Sequence, residues 1–318
     1  MDSTLVTDDT AILGRILAKG GIVVFPTETV YGIGADSTNF EACRRIYQIK
    51  NRPLDNPLIA HFDSLEQIEE YCFLSDVAIR LLNHFSPGPL TLVLRKKSES
   101  IFTLGLDTLA VRIPSHTGCL DLIRAAGVPI SAPSANPSGK PSYTRESDVI
   151  TYFMGKVDGI LQSTEPVIGI ESTVVDLSRE IPILLRPGQI SKKDLAGVLP
   201  MLTDVSDLQT EKVVRSPGTK YRHYSPEAKV MVLNEKEFRS LWEVKQNDDV
   251  SAFIGFHIDS KRSFDKNVAN NREYMKFLYS FFTDADKAGR TFCYCQEPIA
   301  DEDFEALMNR LSKAESKN

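Results

Sequence analysis

Apolar positions along the 318-residue chain switch repeatedly between a helical period and a strand-like one. Asp8 or Asp9 can cap a helix that runs to Lys19, and Gly20-Gly21 stops it. "GIVVFPT" (21–27) then reads as a short buried strand, and "VYGIGA" (30–35) as extended. In "NFEACRRIYQIK" (39–50), Phe40, Cys43, Ile46, Tyr47 and Ile49 lie mostly on one side, which predicts a helix. Further strands are predicted at "PLIAHF" (57–62), "LTLVL" (90–94), "LAVRIP" (109–114), "VPISA" (128–132), "GILQ" (159–162), "STVVDL" (172–177) and "ILLRP" (183–187). Helices are predicted between them, at 64–72, 76–85, 117–126, 146–155 and 191–199. Residues 202–227 carry no sustained period. After them a second alternation begins: strand "AKVMVL", helix 235–245, strand "VSAFIGF", helix 271–288, strand "TFCYC", helix 301–314. Strand–helix repeats of that kind predict a small three-layer α/β unit on a parallel sheet.

The length favours two domains over one core. The pattern places them at 1–201 and 228–318, with 202–227 as a linker. A composition of 42% hydrophobic and 25% charged residues excludes wholesale disorder. The net charge of −6 argues against nonspecific coating of nucleic acid, which needs a positive field. It leaves room for a local basic pocket. No run approaches the roughly 20 apolar residues that span a bilayer, and the first residues lack the pattern of a signal peptide. The cysteines at 43, 72, 119, 293 and 295 are odd in number and scattered, which does not suggest a disulfide framework. Cys293 and Cys295 would share one strand face; without a second pair, core packing explains them better than zinc. The expectation is a reduced, cytoplasmic protein without a structural metal.

The linker departs from the acidic average. From Lys212 to His223 it carries four Lys or Arg residues and a histidine, with no Asp or Glu. "SPGTKYRHYSP" (216–226) adds tyrosines between the charges and prolines at both ends. Several loops of the first domain are also rich in cations or small polar groups. "FPTETVYGIG" (25–34) sets two threonines and a glutamate between apolar segments, a costly arrangement unless they are paired or face a cleft. In "IKNRPLDNPLIAHF" (49–62), Lys50 and Arg52 suit a helix C-terminus. A proline-stiffened loop presenting Lys, Arg and Asn56 also suits a polyphosphate. His61 on its own reads more simply as a core histidine. "ISAPSANPSGKPS" (130–142) offers Ser131, Ser134, Asn136, Ser138 and Ser142 with little bulk between them, so a ligand could approach the backbone. Arg112 and Arg186 each lie inside a short apolar strand and need an anionic partner, from the protein or from a ligand. Thr108 and the Ser172-Thr173 pair lie close to them in sequence. There is no "GxxxxGK[ST]", "GxGxxG" or "GxSxG" motif and no metal-spaced His/Cys cluster. Cations and small hydrogen-bonding groups suit chemistry in which the substrate brings its own nucleophile and the protein positions and neutralises phosphate.

Taken in order, "FPTETVYGIG", "KNRPLDNPL", "SPGPLTLVL", "AVRIP", "SAPSANPSG" and "ESTVVD…LLRPG" resemble the YrdC-like threonylcarbamoyl-AMP synthase family over residues 8–200. The linker and the domain behind it resemble the two-domain form, with Thr219 where that form would have methionine. The resemblance implies a YrdC-like twisted mixed sheet with helices and an open concave cleft, plus a small Rossmann-like C-terminal domain. It implies condensation of L-threonine, bicarbonate or CO2, and ATP with Mg2+ to threonylcarbamoyl-AMP and pyrophosphate. A separate transferase would pass the threonylcarbamoyl group to tRNA beside the anticodon. Motif by motif, it assigns Thr29, His61, Arg112, Ala132 and Ser172 to threonine. It assigns Arg52, Asn56, Thr108, Ser134, Ser142, Arg186 and Tyr224 to ATP, with Lys50 and Arg52 at the reacting phosphates. The linker would close as a basic lid, with Pro217 and Pro226 stiffening it, Gly218 as a hinge, and Lys220, Arg222 and His223 near phosphates; the rival reading is a solvated tether whose charges keep it soluble. Two other readings stay open. One is a module that binds double-stranded RNA, which a gel shift tests. The other is a carbamoyl transferase that uses carbamoyl phosphate, as in hydrogenase maturation, which a turnover assay tests.

Overall fold

In the computed structural model, residues 4–199, 201–204 and 224–315 are described. The first part contains strands β1 (Leu5–Thr7), β2 (Val23–Pro26), β3 (Tyr31–Asp36), β4 (Ile59–His61), β5 (Leu90–Arg95), β6 (Thr108–Arg112), β7 (Ile130–Ala132), β8 (Gly159–Leu161), β9 (Thr173–Asp176), β10 (Ile183–Arg186) and β11 (Thr203–Asp204). They form one eleven-stranded mixed sheet in the order β1-β8-β2-β3-β7-β4-β6-β5-β9-β10-β11. Its helices are α1 (Thr10–Ala18), α2 (Phe40–Lys50), α3 (Leu65–Tyr71), α4 (Asp76–Phe85), α5 (Thr117–Ala126), α6 (Glu146–Phe153) and α7 (Lys192–Ala196). The second part comprises β12 (Lys229–Leu233), α8 (Glu235–Lys245), β13 (Ser251–Gly255), β14 (Lys266–Asn267), α9 (Asn271–Lys287), β15 (Phe292–Gln296) and α10 (Phe304–Ala314). Its four strands pair in parallel in the order β12-β15-β13-β14, as the strand–helix alternation predicts.

Local chemistry explains most boundaries. Asp9 caps α1 by accepting from the Ile12 N–H at 3.0 Å. Asn39 caps α2, and Asn51 ends it in the left-handed conformation at φ 51°, a role asparagine tolerates. On β3, Gly34 leaves room for the Phe25 ring: a Cβ there would lie 2.6 Å from the ring and 2.5 Å from Ile130.

Some elements differ from the sequence reading. A strand, β1, precedes α1 where only a capped helix was expected, and it pairs in parallel with β8. The aperiodic stretch after 201 contributes β11, and the C-terminal sheet gains β14. The helix expected from 301 begins at Phe304, and that expected over 191–199 spans 192–196. Strands of two or three residues hold too few positions to show a period.

The period-two alternation of the central strands sorts their side chains between two faces. Ala60, Leu92 and Val111 pack on one face against Ile68, Ala78, Leu81 and Leu82 of α3 and α4. Ile59, Val93, Ala110 and Val174 cluster on the other. His61 and Arg112, paired in register, follow Ile59 and Ala110 onto that second face. Cys293 and Cys295 are buried in the C-terminal core.

The two parts share packing. Val30, Ile168, Ile170 and Tyr224 belong to the same buried cluster as Tyr274, Met275, Leu278 and Tyr279 of α9. Polar pairs surround that contact. Arg145 makes a two-pronged pair with Asp284 at 2.6 and 3.0 Å, Lys287 reaches Asp148, and Lys192 reaches Glu305 at 2.9 Å. At Gly169, where φ is +88°, an added Cβ would meet Met275 O at 2.4 Å and the Lys276 Cα at 2.5 Å. Gly169→Ala is therefore expected to destabilise the protein by about 1–3 kcal/mol or more, from left-handed strain plus a backbone clash. Chemical unfolding measures this, and unchanged stability would contradict the close approach of α9.

Candidate active site

On the second face of the large sheet lies a cleft open to solvent. Four strands place their last residue in its lining: His61 from β4, Arg112 from β6, Ala132 from β7 and Arg186 from β10. The β2–β3 turn adds Thr27 and Thr29, the end of α2 adds Lys50 and Arg52, and the loop after β7 adds Ser134 and Asn136. Glu171, Ser172 and Tyr224 complete the wall. Lys50, Arg52, Arg112, Lys140 and Arg186 thus belong to a lining in which Glu171 is the one carboxylate among the described residues.

Each buried charge has a structural cause. The Arg112 guanidinium is paired by Nη2 with Glu28 Oε1 at 2.6 Å and by Nη1 with the Thr29 hydroxyl at 3.0 Å. Glu28 also accepts from the Ser115 N–H at 3.1 Å. The anionic partner that Arg112 needs is therefore supplied by the protein, and Glu28 fixes the guanidinium in place. Lys50 directs its ammonium at Ser134 O (2.6 Å), Asn136 O (2.5 Å) and Asn136 Oδ1 (3.2 Å). These contacts tie the Ser134–Asn136 loop to the end of α2. Burial, reinforced by Arg52, pushes the Lys50 ammonium well below its usual range. Arg52 donates to the carbonyls of Asn56 (3.1 Å) and Pro57 (3.2 Å), holding its own loop shut. Arg186 donates to Ser172 O at 2.9 Å and to the Ser172 hydroxyl at 3.1 Å, and that hydroxyl also meets Thr91 Oγ1 at 2.8 Å.

Thr29, Lys50, Arg52, His61, Arg112, Ala132, Ser134, Ser172, Arg186 and Tyr224 are brought together in this one cleft. Three expected residues fall outside its lining. Ser142 is buried behind it, donating to Glu171 Oε1 at 2.6 Å. Asn56 offers its backbone carbonyl to Tyr47 and Arg52, and its buried Oδ1 has no partner among the described residues. Thr108 opens β6 and lines a smaller adjacent hollow with Leu58, Phe102 and Ala110, which shares Pro57 with the cleft.

Of the basic linker strip, Lys212, Pro217, Gly218, Thr219, Lys220, Arg222 and His223 lie outside the described residues. Tyr224 is described. Its ring stacks on Tyr279 at 5.4 Å, and the next residue, Ser225, donates its N–H to Gly139 O at 3.0 Å.

Sequence reasoning missed Glu171, Tyr279 and Arg310. Arg310 did leave a signal, since it sits among Leu307, Leu311 and Ala314 on the buried stripe of α10. A cation on an apolar stripe demands a buried partner. Glu171, next to Ser172, is that partner.

Residues 15–188 match the family model Sua5_yciO_yrdC, described as "Telomere recombination". The chain belongs to that family. Residues 190–316 match a second model, described as "Threonylcarbamoyl-AMP synthase, C-terminal domain". A threonylcarbamoyl-AMP synthase of Pyrococcus abyssi is 44% identical over 227 residues, covering 70% of this chain and 67% of that protein. The synthase of Schizosaccharomyces pombe is 33% identical over 346 residues, covering 92% and 85%. Among solved structures, P. abyssi Sua5 complexed with L-threonine superposes with a TM-score of 0.88 at 36% identity, covering 98% of this chain and 96% of that one. The resemblance in the sequence thus extends to both parts of the fold.

His61 offers a test of how dry the cleft wall is. Its Nδ1 lies 3.3 Å from Ile130 O, and burial, aided by Arg112, pushes its imidazole down to about 3. An unfolded histidine titrates near 6.5. Below that pH the unfolded chain takes up a proton that folded His61 refuses, so its contribution to stability declines as pH falls from about 6.5 towards 3. Proton NMR of the imidazole is expected to show no His61 titration down to about pH 4, whereas a midpoint near 6.5 would contradict the burial.

Proposed function

We propose that this protein is an L-threonylcarbamoyladenylate synthase: it condenses L-threonine, bicarbonate or CO2, and ATP to threonylcarbamoyl-AMP and pyrophosphate. The observation that carries this reading is the cleft itself. It gathers arginines and lysines at small hydroxyl and backbone groups, within a chain whose family includes a threonine-bound relative. In this chemistry the amine of threonine captures CO2. A carbamate oxygen then attacks the α-phosphorus, forming the new O–P bond as the bond to pyrophosphate breaks. The nucleophile belongs to the substrate, so the protein's work is alignment and charge stabilisation.

In this reading Arg112 pairs with the threonine carboxylate, and Thr29, His61, Ala132 and Ser172 shape the rest of that pocket. A neutral His61, as burial enforces, adds no charge beside the amine. Arg52, Ser134, Arg186 and Tyr224 hold ATP, with Asn56, Thr108 and Ser142 contributing from the neighbouring shell. Lys50 and Arg52 stand at the reacting phosphates, Lys50 through the loop it fixes. Mg2+ enters as part of the nucleotide substrate. Among the described residues no group of three or more His, Cys, Asp or Glu side chains gathers to hold a metal, and the cleft carboxylate Glu171 is already bound by Arg310. In this reading phosphate oxygens and water hold the ion. The product passes to a separate transferase that modifies tRNA. The division into a catalytic domain over 1–201, a linker over 202–227 and a C-terminal domain over 228–318 belongs to this proposal, as does a cytoplasmic location. No helix among the described residues is long and apolar enough to cross a membrane.

Pyrophosphate release with MgATP is expected only when threonine and bicarbonate are both present, with the adenylate detected by mass spectrometry. Folded, ATP-binding protein that yields no adenylate would overturn the reading. Arg112→Lys keeps the charge that Glu28 requires but loses the two-pronged guanidinium geometry. It is expected to raise the KM for threonine about tenfold or more while leaving the KM for ATP near wild type. Steady-state kinetics with each substrate varied in turn checks the split, and an unchanged threonine KM would contradict the carboxylate assignment.

A further inference from the structure

Glu171 ties the cleft to the C-terminal helices. Its Oε1 accepts from the Ser142 hydroxyl at 2.6 Å. Its Oε2 accepts from the Tyr279 hydroxyl of α9 at 2.9 Å and from Arg310 Nε of α10 at 3.1 Å. Arg310 also donates Nη2 to Glu171 O at 2.9 Å and Nη1 to Pro187 O at 2.6 Å. Arg310 and Tyr279 are fully buried, and Glu171 is 7% exposed. Tyr224 lies in the same stack, its ring inclined 26° to that of Tyr279 and with the Arg310 guanidinium 5.8 Å from its ring centroid. On its other side Glu171 lines the cleft beside Lys50 and Arg186.

We propose that Arg310 and Tyr279 are positioning residues of the cleft: they hold and neutralise the Glu171 carboxylate, so that Arg186 stays available to an anionic ligand. The C-terminal unit is then a wall of the nucleotide site. The argument is electrostatic. A carboxylate in the lining repels a polyphosphate and competes with it for Arg186. Arg310 supplies the compensating charge from behind, and two further donors fill the lone pairs. Arg186 keeps its contacts to the neutral Ser172 O and Oγ, and its charge remains directed at the cleft. The same contacts stack Tyr224 against the wall at the end of the linker. This inference deepens the proposed ATP site and rests on it.

The test uses the full-length chain and four variants: Arg310→Met, Tyr279→Phe, Glu171→Gln, and the Arg310→Met/Glu171→Gln pair. Calorimetry gives the Kd for MgATP, pyrophosphate release gives the KM for ATP and for threonine, and thermal melting confirms folding. Arg310→Met is expected to weaken ATP roughly tenfold or more, and Tyr279→Phe by about two- to fivefold, with the threonine KM held within about twofold. Adding Glu171→Gln to Arg310→Met removes the uncompensated charge and is expected to restore most of the ATP affinity. A merely structural role for Arg310 would give no such rescue. Folded Arg310→Met with wild-type ATP affinity, or a double variant no tighter than the single one, overturns the proposal. If Arg310→Met does not fold, wild-type ATP affinity in Tyr279→Phe overturns it. Wild-type protein that binds ATP without releasing pyrophosphate overturns the synthase reading, and the affinity ratios still decide this one. Failure of the wild type to bind ATP overturns both.

Discussion

Charge cannot be buried without a partner, and that constraint organises this molecule. Arg112 and Arg186 sit on strands of the large sheet at 4% exposure each, and Lys50 at 2%. Removing one partner from such a buried pair typically costs about 3–5 kcal/mol, because the other charge is left stranded. The structure meets the demand differently for each. Arg112 receives a carboxylate, Glu28, from the adjacent turn. Lys50 receives carbonyls from the Ser134–Asn136 loop. Arg186 receives neutral groups, while the nearby carboxylate Glu171 is matched by Arg310 from the second sheet's layer. The held cations are thus fixed in position with part of their charge still directed at the cleft, which is the preorganisation that phosphate chemistry requires.

The same constraint explains why two sheets make one site. Glu171 and Arg310 are separated by 139 positions in the chain. Their contact forms only when α9 and α10 dock on the β2–β3 turn and the segment before β9. That docking has an apolar part, in which Val30, Ile168 and Ile170 enter the C-terminal core. It also has an ionic rim around Asp148 and Asp284. Glu171 is held down to about 2; burial alone would raise its carboxyl, but Arg310, Arg186 and the Ser142 hydroxyl outweigh that cost. The largest of these, Arg310, comes from the second layer.

Much of this was legible in the sequence, and the exceptions share a cause. Elements with enough positions to show a period, such as α5 (Thr117–Ala126) and α8 (Glu235–Lys245), have the boundaries that their patterns predict. The strands β1, β11 and β14 are too short to carry a period; β1 owes its pairing to β8, distant in the chain, while β11 and β14 pair with the preceding strands β10 and β13. In the cleft, ordered motifs announced His61, Arg112 and Arg186 as polar residues inside apolar strands, and Arg52 as a cation in a proline-stiffened loop. They did not reveal direction. Ser142 points behind the lining to Glu171, and Thr108 faces an adjacent hollow, which only the folded backbone decides. Arg310 was visible as a cation on an apolar stripe, but its partner on the other side of the molecule was not.

The central claim is that the cleft cations are held in place for two different ligands, a carboxylate at Arg112 and a polyphosphate at Arg52 and Arg186. A crystal structure of the complex with L-threonine and a non-hydrolysable ATP analogue tests it most directly. The account predicts the threonine carboxylate on the Arg112 guanidinium with Glu28 still behind it. It also predicts the phosphates between Arg52 and Arg186, with Glu171 still bound to Arg310. Threonine bound away from Arg112, or phosphates bound outside this cleft, would contradict it.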